Sequence, residues 1–185
     1  MRQAALAQCV LEMEANQAFF QQVAGKDTRD EAYILDLIAN ADRHARIEGK
    51  YEDAVARLYS ALERGAKFRL QRQHAISTED VKPAQLPETL RDEYVQKYRD
   101  ARDGKIKVPL MAAHRLLDAL GNELGHAFVA RQEEIVQLLS LRNLSPLGHG
   151  ENPVGEDGYA RFRGLLMELF GIAEAGLPCF TELWV

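Results

Sequence analysis

One short break restricts this chain's fold more than any other feature. Tyr33, Ile34, Leu37, Ile38 and Ala41 recur with the spacing of one helix face. Gly49 stops that pattern, and Tyr51, Val55, Leu58, Tyr59, Leu62 and Ala66 open a second one at once. So brief a gap leaves an αα-hairpin with antiparallel helices as the solution. Asp27, Thr28 and Asp30 offer caps for the first of the pair.

The same 3.6-residue period runs through most of the chain. Leu6, Val10, Met13 and Phe20 lie along one side of a first amphipathic helix that ends near Gly25, with Gln17 the polar interruption. The stretch from His74 to Leu90 holds Pro83 and Pro87 and reads as a loop, with room for a helical turn after Ser77 and Thr78. Helices are expected from about Leu90 to Arg102 and from Pro109 through Leu110, Met111, His114, Leu117 and Leu120. Gly121 and Gly125 interrupt the next segment. A helix then begins near Arg131, and a last one runs from about Asp157 to Glu174. Only the terminal "CFTELWV" has some β character, and a docked tail is an equal reading. The fold class expected is all-α: a helical bundle over residues 29–185, with an additional N-terminal helix or linker over 1–28.

Several function classes drop out on composition. Apolar runs such as Leu165-Leu166-Met167 are far below the roughly 20 residues of a membrane span. Glu12 and Glu14 interrupt the region where an export signal needs an apolar centre, so a cytoplasmic protein is expected. The two cysteines, Cys9 and Cys179, have no metal-ligand spacing. A formal net charge of −5 argues against broad coating of nucleic acid, though not against a small site for one phosphate. "GKYEDAVARLYSALE" has the spacing of half a tetratricopeptide unit, but no second copy follows. Tight packing of small residues between two helices explains it better than a repeat scaffold.

The chemistry concentrates in "LRNLSPLGHG", residues 141–150. Ile135, Leu138 and Leu139 define the inward stripe of the penultimate helix, and Arg142 follows Ile135 by seven residues, nearly two turns. His149 lies seven residues further. Pro146 cannot donate a bond to the carbonyl of Arg142, so the helix bends or ends there. Gly148 and Gly150 give the following turn latitude to bring the imidazole back toward the guanidinium. Read without context, Arg142 is a salt-bridging residue near a helix C-terminus and His149 a cap.

Arg142, Asn143, Ser145, Leu147, His149 and Gly150 together resemble the Arg-x(4–6)-His motif of HEPN ribonucleases. "LIANADRHARIEGKYEDAVARLYSALERGAKFRL" and "GKIKVPLMAAHRLLDALGNELG" are similar to the opening and middle of the HEPN domain in CRISPR-associated ribonucleases, so the likeness spans roughly residues 35 to 175. The resemblance implies a homodimeric, metal-independent endoribonuclease acting on single-stranded RNA in antiviral defence. Arg142 would anchor the phosphate, His149 would act as general acid or base, and Asn143 and Ser145 would contact substrate. No cofactor is implied. RNA supplies its own nucleophile, the 2′-hydroxyl. Histidine, with an unperturbed pKa near 6.5, exchanges protons at cellular pH, and arginine's planar fork matches phosphate oxygens.

Relatives usually precede this domain with a Rossmann-like CARF sensor of cyclic oligoadenylate. No alternation of strands and helices marks one here, and the first helix would be its linker. The rival readings are a catalytically inactive HEPN-type dimerisation module, for example the partner of a nucleotidyltransferase, and a helical scaffold. His114 and His126, twelve residues apart around glycines, read as core or surface residues rather than metal ligands, as do the isolated His44 and His74. Lys97, Arg99, Arg102, Lys105 and Lys107 alternate with Asp100 and Asp103 beside Tyr94 and Tyr98, which favours a solvated helix and turn over an RNA-guiding patch.

Overall fold

The computed structural model describes residues 2–25, 29–144 and 153–178, the side chains of 2–6, 29 and 141–144 excepted. Eight α-helices occur among them: α1 (Arg2–Ala24), α2 (Arg29–Arg46), α3 (Tyr51–His74), α4 (Glu88–Tyr98), α5 (Leu110–Ala119), α6 (Glu123–Ala130), α7 (Gln132–Leu144) and α8 (Glu156–Phe170). The expected all-α bundle is what forms.

The α2–α3 hairpin turns at Gly49, whose φ of 64° lies in the left-handed region that glycine enters freely. Lys50 N–H donates back to the His44 carbonyl at 2.9 Å and closes the turn. The antiparallel arrangement is visible at the far end, where Arg72 near the close of α3 reaches Asp30 near the start of α2 at 3.0 Å.

Helix α3 is the central post and packs against α2, α5, α7 and α8. Its buried residues are Ala54, Val55, Leu58, Ala61, Leu62, Gly65, Ala66 and Leu70. The small members let neighbours approach closely: a Cβ at Gly65 would stand 2.5 Å from the Phe170 ring of α8. Within the stretch that imitates a repeat unit, the buried small residues of α3 are Ala54 and Ala61. Ile135, Leu138 and Leu139 of α7 are buried as their stripe requires, while Val136 is half exposed. Helix α8 contributes Tyr159, Phe162, Leu165, Leu166, Met167 and Leu169 to the core and ends at Gly171 in a left-handed cap.

Between α3 and α5 the chain makes contacts that have no period to announce them. Ile106 bridges both Val81 and Arg99 as isolated antiparallel pairs, and a 3-10 turn occupies Pro83–Gln85. Tyr94 is fully buried and its hydroxyl donates to the Ala112 carbonyl at 2.8 Å. Lys107 pairs with Asp100 at 2.7 Å and with Asp103 at 3.0 Å on the exposed turn, so the mixed charges there do form a solvated surface.

Helix α1 departs from a simple amphipathic reading. Phe19 is its buried residue, whereas Val10, Met13 and Phe20 of the stripe face outward, at 48%, 60% and 52% exposure. Phe19 projects from nearly the opposite side of the helix, so α1 rests on α2 with its apolar stripe turned away. The "CFTELWV" tail, Cys179 to Val185, lies outside the described residues, as do Asp27 and Thr28.

Candidate functional site

Arg142 and Asn143 fall in the last turn of α7, Arg142 at the register that follows the fully buried Ile135. Ser145 and His149 lie outside the described residues, as do the side chains of Arg142 and Asn143. The elements that position this segment are defined on both flanks. Upstream, Arg131 pairs with Glu134 at 2.8 Å and also with Glu168, which ties the start of α7 to the end of α8. Because α7 and α8 pack together, the far end of α7 runs toward the beginning of α8. Downstream, Val154 is buried and its N–H donates to Glu52 Oε1 at 3.3 Å, pinning the entry of α8 to the first turn of α3.

The motif therefore leaves and rejoins the fold at one end of the bundle, where α2 closes with Arg43, His44 and Arg46 and α3 opens with Tyr51. That end is braced by a charge network whose inner members, Arg163 and Asp42, are mostly buried and whose outer member, Glu174, is exposed. Arg163 is 9% exposed and grips Asp42 with two bonds, Nε at 2.7 Å and Nη2 at 2.9 Å. It also grips Glu174 with Nη1 at 2.5 Å and Nη2 at 2.6 Å. Tyr159 adds its hydroxyl to Asp42. The hydrogen bonds that Arg163 donates to Glu174 and Asp42 drive its pKa up, and Arg163 holds Glu174 below the usual carboxylate range. The Tyr159 phenol is pushed up, first by burial and then by its bond to Asp42. The sequence does not single out this network, since Arg161 and Arg163 both flank Phe162 and only the fold buries Arg163.

The other histidines divide as core and surface. His114 is fully buried, stacked on Phe128 with ring centres 3.9 Å apart, and its Nδ1 donates to the Leu110 carbonyl at 2.9 Å. Its Nε2 has no partner, and burial pushes its pKa down to about 4, so it stays neutral at cellular pH. His126 is exposed and pairs with Asp118, and His44 reaches Glu48 at 3.4 Å. Among the described residues no cluster of three or more His, Cys, Asp or Glu is arranged to hold a metal.

Two clefts differ in what they can receive. The larger, about 750 Å³, lies at the opposite end of α3 and α8 and sets Asp30, Glu31, Glu123 and Glu168 against Arg69 and Arg72. Its excess of carboxylates opposes a phosphate backbone. The smaller, about 480 Å³, borders α2, α3 and the first half of α8, at the end where the motif emerges.

A family model described as the Csm6 HEPN domain matches residues 10–172, and the chain belongs to that family. This associates it with CRISPR-associated, ribonuclease-type function. No curated protein and no solved structure matches the chain. No helix among the described residues is long and apolar enough to cross a membrane.

Proposed function

We propose that the chain is a metal-independent endoribonuclease that cuts single-stranded RNA at a composite site formed by two copies. The 2′-oxygen of one nucleotide attacks the adjoining phosphorus, the bond from phosphorus to the 5′-oxygen breaks, and a 2′,3′-cyclic phosphate and a 5′-hydroxyl result. One proton leaves the 2′-hydroxyl and one arrives on the 5′-oxygen. His149 serves as general acid or base in that exchange. Arg142 offsets the charge that builds on the phosphoryl oxygens, and Asn143 and Ser145 orient the phosphate. A single arginine and histidine make a sparse site, and an isologous dimer supplies a second set across its twofold axis.

The observation that carries this reading is the family match across residues 10–172 together with the Arg142 to His149 motif inside it. We place the ribonuclease domain at residues 29–185 because α2 to α8 share the core, whereas α1 buries Phe19 alone among its described side chains. Helix α1 is assigned to coupling. Its outward Val10, Met13 and Phe20 would be covered by a CARF-type sensor responding to cyclic oligoadenylate within a longer polypeptide. The protein would act in the cytoplasm.

Incubation of an unstructured RNA with the purified chain and a metal chelator tests the reaction. Cleavage that leaves cyclic phosphate ends, abolished in Arg142→Ala and in His149→Ala with folding intact, is expected. Absence of cleavage by concentrated wild-type protein would assign the chain instead to the inactive, dimerising branch of the HEPN fold.

A further inference from the structure

The smaller cleft has the parts needed to hold one base of a nucleic-acid strand. It is lined by Ala45, Ala160 and Gly164, by the aromatic Tyr51 and Tyr159, and by Arg46. Tyr159 is locked by burial and by its bond to Asp42, and its ring lies 6.1 Å from that of half-buried Tyr51 at a tilt of 41°. A Cβ at Gly164 would meet nothing within 4 Å, so packing does not require a glycine there. Glycine inside a helix is destabilising, and here it keeps the space open.

The charges around the cleft are mixed, and the arrangement decides what they can do. Asp42 and Glu174 would oppose a phosphate, but Arg163 is committed to both. Arg46 is exposed and its charge acts on Glu174 and Tyr159 without a close ion pair among the described residues, so its guanidinium can still turn to an incoming oxyanion. Glu156, the first residue of α8, is the carboxylate at the lip. Stacking on an aromatic face beside a cation is how single-stranded nucleic acid is held without reading its sequence.

The cleft is also in the right place. Val154, which follows the motif in the sequence, is anchored to Glu52, the neighbour of Tyr51, so the chain rejoins the bundle beside this cleft. We propose that this cleft receives a nucleobase of the RNA strand near the cut linkage, stacked on Tyr51, while Arg46 holds an adjoining phosphate. The proposal rests on the ribonuclease reading for its substrate but uses none of the motif residues.

The test measures cleavage and binding of a short unstructured RNA, and of the same RNA carrying abasic positions beside the cut site. Gly164→Leu fills the cleft and Arg46→Ala removes the cation, each checked for an unchanged melting temperature. Both are expected to raise KM about tenfold with kcat nearly unchanged. The wild type should bind abasic RNA more weakly than intact RNA, and Gly164→Leu should lose that difference. An unchanged KM in both variants, or an equal abasic penalty in Gly164→Leu and wild type, overturns the cleft. If the wild type binds RNA without cutting it, the same series read as affinities decides the cleft alone, and the catalytic reading falls separately. RNA that is neither bound nor cut overturns both.

Discussion

Helices α1 and α3 are almost equal in length, 23 and 24 residues, and both carry a stripe of apolar side chains, yet they hold opposite places in the molecule. On α3 the stripe is built from leucines and valine separated by alanines and a glycine, and four other helices close around it. On α1 the bulky residues Val10, Met13 and Phe20 look outward, and Phe19 is the one buried among its described side chains. Apolar period makes a helix possible; small residues at the crossing points decide whether neighbours can come close enough to bury it. The first helix is equipped to meet something outside this domain, and the third to hold the domain together.

The comparison can be broken by stability measurements. The largest effect is expected at the brace between α2, α8 and the segment after it. Arg163→Met leaves the mostly buried Asp42 without its partner and should cost about 3–5 kcal/mol in chemical denaturation, with little of it from the exposed Glu174. Within α3, Leu62→Ala removes a fully buried side chain and should cost about 2–5 kcal/mol. Acidification comes next. His114 remains neutral in the folded chain down to about pH 4, whereas an unfolded imidazole takes up its proton near pH 6.5. Between those values the unfolded chain binds more protons, so stability falls as pH drops, by on the order of 3 kcal/mol at the lower limit. His114→Phe should flatten that part of the profile. Smallest of all, Phe20→Ser on α1 should change the stability of the isolated chain by less than about 0.5 kcal/mol. A cost at Phe20 equal to that at Leu62 would end the distinction between the two helices.

The sequence made the bundle legible wherever a helix packs by its own period. The hairpin around Gly49, the inward face of α7 and the extent of α8 to within a few residues all follow from spacing. The last helix ends at Phe170 rather than near Glu174, because Gly171 takes up a left-handed conformation and stops it. Features made by residues distant in sequence were not legible. Nothing local announces that Ile106 will bridge Val81 and Arg99, or that Arg163 will reach back to Asp42. The direction of the α1 stripe was also hidden, since a period defines a face but not what the face meets. Of the candidate site, Arg142 was traceable by its seven-residue step from Ile135 on a described helix, while Ser145 and His149 lie outside the described residues. The Tyr51 cleft escaped notice because its parts come from three helices.

Gly125 has a mechanical consequence. A Cβ there would sit 2.1 Å from the backbone nitrogen of Asp118, so α6 lies directly on the end of α5 with no side chain between. The His114–Phe128 stack clamps the same two helices from within. The corner is effectively welded: α5 and α6 must travel as one body. Any change of shape by which this domain answers a partner has to flex at some other joint.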